Sequence, residues 1–152
     1  MDLIELLNKK GSEIVDKATD AIVGSHLRHY ENASPAQTRE RLKTLFDLTL
    51  DCLVRKSPMP MIKYAEKIAQ QRFSSGFSLR EVQTAFNLLE ESIWDQILNE
   101  MKPVEYAKAV LLVDTPLRIG KESIARMYFS FVDKGKVPSL EILNDFIRTE
   151  IV

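Results

Sequence analysis

The stretch RFSSGFSLREVQTAF, residues 72–86, decides the fold. Gly76 can take the left-handed conformation that closes one helix, because it has no Cβ to clash with the preceding turn. Ser78 and Glu81 then supply the S-x-x-E capping box, in which each side chain satisfies a backbone amide of the other. Phe77 and Val82 stand at the hydrophobic-staple positions across that start. The reading is an αα-hairpin: one helix ends near Ser75 and the next begins at Ser78. In the second helix Leu79, Val82, Phe86, Leu89, Ile93 and Ile97 share one face, as in a packed bundle.

Outward from this hairpin the chain carries helix signals and no strand signal. Upstream, Ser34, Pro35 and Gln37 make a strong start, a hydroxyl cap followed by a proline that needs no amide partner. Leu42, Leu45, Phe46, Thr49 and Leu53 form the apolar stripe of that helix. KSPMP at 56–60 breaks it, and the next helix is expected from about Pro60. Before Asn32, Ser12 is expected to cap a helix with Ile14, Ala18, Ala21 and Ile22 on one face, running through Gly24 as far as Tyr30. Downstream, the pattern resumes after Pro103, and either Asp114 or Thr115 caps a new helix or Pro116 kinks a long one. Gly135 and Pro138 end the body, and Ser139 caps a short terminal helix. The expectation is an all-α, single-domain helical bundle of about six or seven helices, globin-like or with orthogonal or up-down packing. Residues 1–135 form the bundle, and 136–152 a terminal helix that docks or dimerises.

Composition narrows the functional classes. The 152 residues, 45% hydrophobic and 28% charged with a net charge of -1, suit one globular domain with no electrostatic pull toward nucleic acid or acidic membranes. The longest strongly apolar run, AVLLV at 109–113, is far short of the roughly 20 residues that span a bilayer, and the N-terminus lacks a signal-peptide pattern. The single cysteine, Cys52, fits a reducing compartment and reads as a packed thiol. A cytoplasmic protein is expected.

No nucleophile elbow, dinucleotide fingerprint, zinc-protease motif, calcium loop or di-iron pattern is present. IGKES at 119–123 only superficially resembles a phosphate loop, since Thr115 and Glu122 stand where that motif needs glycine and Ser or Thr. Catalysis is therefore not expected. Two histidines, His26 and His29, are neighbours on a helix and are the candidate metal or haem ligands. The projection puts His29 on the apolar face, where a backbone carbonyl or tyrosine commonly satisfies an imidazole. Arg72 and Glu90 fall on faces otherwise apolar, so each needs a partner: one another, or Lys121, Tyr128 or Gln83. The functional reading of the same residues is a polar pocket in which Arg72 holds an anion against Trp94.

The run YAEKIAQQRFSSGFSLREVQTAFNLLEESIW at 64–94, with GKESIARMYFSF at 120–131, resembles the helical N-terminal domain of the RsbR-type RsbT co-antagonists. That domain also occurs ahead of some sensor kinases and in short stand-alone bacterial proteins, and the similarity spans about residues 10–135. The resemblance implies an all-helical sensory domain of stress signalling that dimerises and passes its signal to an output partner. It transfers no catalytic or ligand-contacting residue. No α/β domain or kinase core follows residue 135, so the output is expected from another chain unless these residues belong to a longer one. The function expected is thus a non-enzymatic, homodimeric signal-transduction module that contacts an unidentified signalling protein. Leu140, Leu143, Ile147 and Ile151 are its candidate interface. The alternative is a small-molecule or haem sensor with its ligand in the core; otherwise no cofactor is expected.

Overall fold

The structure, a computed structural model, describes residues 1–133. Those residues form α1 (Leu3–Gly24), α2 (Arg28–Glu31), α3 (Pro35–Arg55), α4 (Met59–Ser74), α5 (Leu79–Glu100) and α6 (Tyr106–Asp133), with a 3₁₀ turn at Pro103–Glu105. Among them there is no strand, as the sequence predicts. The terminal helix expected from Ser139, and with it Leu140, Leu143, Ile147 and Ile151, lies outside the described residues.

The hairpin at residues 72–86 forms by the predicted chemistry. Gly76 has φ +86°, and the amides of Phe77 and Gly76 bond back to the carbonyls of Arg72 and Phe73, the Schellman pair that closes a helix. The Ser78 hydroxyl accepts from the Glu81 amide at 3.1 Å, and the Glu81 carboxylate accepts from the Ser78 amide at 3.0 Å. Ser34 caps α3 by accepting from the Gln37 amide, with Pro35 in the first turn. α3 ends on Lys56 in the left-handed region, φ +54°.

α5 is the central element, packed between α1 and α6, while α4 lies along α6 and α3 along α1. Leu89, Ile93 and Ile97 of α5 share one core with Leu6, Leu7 and Ile14 of α1 and Val113, Leu117 and Ile124 of α6. The Ser92 hydroxyl, buried in that core, donates to the Ile14 carbonyl at 2.8 Å and ties α5 to α1.

Two local expectations are corrected, and the alternative left open at Pro116 is decided. α1 begins at Leu3 rather than Ser12, capped by the Asp2 carboxylate that accepts from the Glu5 amide at 2.8 Å. It runs through Gly11 because the close approach of α3 demands a glycine: a Cβ there would sit 2.9 Å from the Phe46 ring. α1 also stops at Gly24 instead of continuing to Tyr30, since His26 enters the left-handed region at φ +56° and redirects the chain into the short α2. Finally, α6 passes through Pro116 as one helix, with Thr115 donating its hydroxyl to the Leu111 carbonyl rather than capping a new start.

Candidate functional site

Phe77, the residue after the left-handed glycine, is where four helices meet. Its ring lies 5.0 Å from that of His29 and 5.2 Å from that of Tyr30, both on α2. Two guanidinium carbons flank the same ring, Arg41 of α3 at 5.5 Å and Arg72 of α4 at 5.6 Å. Such cation–π contacts hold the flat faces of the guanidiniums and leave their N–H edges for other partners. The Phe77 carbonyl accepts from the Tyr128 hydroxyl of α6 at 3.0 Å, which brings in the fourth helix.

Glu81 fastens α2 to this centre. Its Oε1 accepts from His29 Nδ1 at 2.7 Å as well as from the Ser78 amide, and its Oε2 accepts from the His29 amide at 2.9 Å. The capping-box glutamate is therefore also a tertiary tether, and it is only 3% exposed. The structure separates the two candidate histidines. His29 is taken up by Glu81 and faces Gly76 with Nε2, whereas His26 points outward and pairs with Glu31 at 3.1 Å. No cluster of potential metal ligands occurs among the described residues.

Beside Phe77 a narrow cleft of about 20 Å³ is lined by Tyr30, Thr38, Arg41, Tyr64 and Arg72 together with apolar side chains of α1, α3, α4 and α5. Among the described residues no carboxylate pairs with Arg41 or Arg72. Burial, and then the charge of Arg72, lower the Arg41 pKa. Burial pushes Tyr30 up to about 12 and raises Tyr64, with both arginines opposing the rise. The Tyr128 hydroxyl is likewise raised by burial. Two buried polar atoms of this cleft have no hydrogen-bond partner, Thr38 Oγ1 and Arg41 Nη1.

The expected pocket of Arg72, Glu90, Trp94, Lys121 and Tyr128 does not assemble. Arg72 belongs to the Phe77 cleft, whereas Glu90 stands farther along α5 facing Lys121 and Asp114. Lys121 donates to the Asn87 side chain at 2.8 Å and acts on Glu90 through its charge. Trp94 is half-buried with its indole N–H unpartnered. Arg41, in contrast, was hidden in the charged run TRERLK, which reads as a solvated face. The signal that finds it is the Thr38, Arg41, Leu45 spacing, one inward stripe of α3.

Glu90 is 4% exposed, and its carboxyl is pushed up to about 7, first by burial, with Lys121 opposing and Asp114 adding to the rise. A carboxyl raised in the folded state favours folding fully below its ordinary value of 4.5, and that contribution is lost as pH rises through about 7. Glu90→Gln should therefore be near neutral at low pH and stabilise the protein at high pH by about 3 kcal/mol, given about 1.4 kcal/mol per pKa unit. Urea denaturation of both proteins from acid to mildly alkaline pH checks this; parallel stability curves would refute the buried charge.

Two apolar hollows run along one end of the bundle. The larger, about 490 Å³, is lined by Leu3, Ile4, Leu53, Met101, Ala109 and Leu112 with Asp2, Lys56, Glu105 and Lys108 around it. The second, about 240 Å³, shares Leu53, Lys56 and Leu112 and continues to Cys52, Pro58 and Pro116. Val104, Leu111 and Val54 are exposed nearby in sequence, at 88%, 63% and 56%.

The described residues thus form an all-helical domain of six helices built around a glycine-capped hairpin. Residues 12–120 match the RsbT co-antagonist protein rsbRD N-terminal domain, and the chain belongs to that family. Membership makes it a regulatory module of stress signalling. No curated protein and no solved structure matches the chain. No described helix is long and apolar enough to cross a membrane.

Proposed function

We propose that the chain is a non-enzymatic, homodimeric regulatory module of the cytoplasm that passes its signal to a protein partner through an exposed helical surface, with no resident cofactor. The observation that supports contact with another protein is the pair of continuous apolar hollows between the ends of α1 and α3 and the first half of α6. An apolar floor with a charged rim is the composition of a protein-binding patch. The dimer itself rests on the family and on Leu140, Leu143, Ile147 and Ile151 in the terminal segment. A haem has no observation in its favour, because His29 is engaged by Glu81 and the cleft at its side is about 20 Å³.

Light scattering coupled to size exclusion tests the dimer, with Leu143→Glu and Leu112→Glu as variants. The wild type should run as a dimer at micromolar concentration, Leu143→Glu as a monomer, and Leu112→Glu as a dimer that no longer engages the output protein. A wild-type monomer at high micromolar concentration would sink the dimer. A Leu112→Glu variant that keeps full regulatory output would remove the hollow from the reading.

A further inference from the structure

We propose that the cleft beside Phe77 binds a small dianionic oxyanion, a phosphoryl group, between the guanidiniums of Arg41 and Arg72, with the Thr38 hydroxyl as a third donor. Two half-buried cations on one aromatic ring repel each other, and among the described residues no carboxylate forms an ion pair with either. Such a pair is complete when an anion supplies the missing charge. Guanidinium forks match the oxygen spacing of phosphate, and two of them match its charge near neutral pH.

Both arginines could simply extend to solvent, but two observations oppose this. Arg41 Nη1 is shielded from solvent and has no partner, whereas a guanidinium seeking only water would keep its N–H groups wet. Thr38 is 1% exposed and its hydroxyl is also unpartnered. Thr19, Thr44, Thr49, Thr84 and Thr115 each donate to the carbonyl four residues earlier, so Thr38 departs from the habit of its own chain. The cleft, at about 20 Å³, has room for about one water-sized group, so a single phosphoryl oxygen enters between the guanidiniums while the phosphorus and the rest of any ligand stay at the mouth.

The inference deepens the regulatory reading by naming the class of its signal, and its test is separate: a failed titration leaves the dimer standing, and a monomer leaves the titration meaningful. Inorganic phosphate and glycerol 3-phosphate are titrated into the full chain at constant ionic strength, followed by calorimetry and by the arginine side-chain N–H signals in NMR. One site per chain should saturate by about 10 mM, with Arg41 and Arg72 signals shifting together, where chloride at equal ionic strength shifts neither. Tighter binding of the ester would mark a phosphorylated metabolite, and equal binding free phosphate. Arg41→Gln and Arg72→Gln should each weaken binding about tenfold or more. Thr38→Val, which keeps the shape and removes only the hydroxyl, should weaken it about threefold and tests the site even if an arginine variant fails to fold. Absence of saturation, or unchanged affinity in Arg72→Gln and Thr38→Val, would overturn the proposal.

Discussion

Glu81→Ala is expected to destabilise the protein by about 3–4 kcal/mol, because one buried carboxylate satisfies three donors and its removal strands them together. Two of those donors are the amide and Nδ1 of His29, and the third is the Ser78 amide. The loss is a large part of the 5–15 kcal/mol that holds an ordinary domain folded. Ser78→Ala removes only the other half of the capping box and should cost about 1 kcal/mol. Glu81→Gln should fall between them, since its amide oxygen can still accept from Ser78 while its NH₂ cannot accept from the His29 amide. Urea denaturation ranks the three. Hydrogen exchange locates the effect: Glu81→Ala should expose the amides of α2, whereas Ser78→Ala should leave α2 protected. Equal costs for Glu81→Ala and Ser78→Ala would mean that the tether to His29 contributes nothing.

The contrast between Ser78 and His29 shows where the sequence was legible. A capping box lies within four residues, so Ser78 and Glu81 could be read from spacing, and so could Gly76, Ser34 and Pro35. The second task of Glu81 could not, because its partner is 52 residues away and only the folded packing of α2 on α5 brings them together. The start of α1 was missed for the same reason: Ser12 reads as a cap until Gly11 is seen packed against Phe46 inside a longer helix. At the candidate site, burial was legible and pairing was not. Periodicity placed Arg72 and Glu90 on inward faces, where the structure finds them partly and fully buried. It could not say that α4 turns Arg72 toward Phe77 and Arg41, while Glu90 looks to Lys121 and Asp114. Two residues on inward faces of adjacent helices need not share a height along the bundle.

Phe77 gives the cleft a route to the rest of the domain. Arg41 and Arg72 rest on its ring, His29 and Tyr30 border it, and Tyr128 of α6 holds its carbonyl. An anion drawn between the arginines would act on contacts of α2, α3, α4 and α6 at once. A regulatory domain needs such a junction only if its ligand binds two arrangements of it unequally, since a ligand with equal affinity for both shifts neither.

Gly120→Val is the second substitution with a large expected cost, about 3 kcal/mol, from overpacking at the seam where α6 meets α4 and α5. A Cβ at Gly120 would lie 2.8 Å from Phe86 Cε2, 3.0 Å from Met61 Cγ and 3.1 Å from Met61 Sδ. Phe86 and Met61 are 2% and 0% exposed, so neither side chain can make room by swinging out into solvent. For Gly120→Ala two effects oppose: helix propensity favours alanine by about 1 kcal/mol, while overpacking costs about 1–3 kcal/mol. The thioether of Met61 can change rotamer more readily than the Phe86 ring can move, which keeps the net loss for alanine near 1 kcal/mol. Gly24→Ala isolates the propensity, because nothing lies within 4 Å of a Cβ there, and it should raise stability by about 0.5 kcal/mol. Combining Gly120→Ala with Met61→Ala separates crowding from backbone effects. If Met61 is the obstruction, the double variant should be about 1 kcal/mol more stable than the sum of the single losses predicts. Additive losses would place the obstruction at Phe86, and a Gly120→Val protein as stable as Gly120→Ala would show that the seam is looser than its distances require.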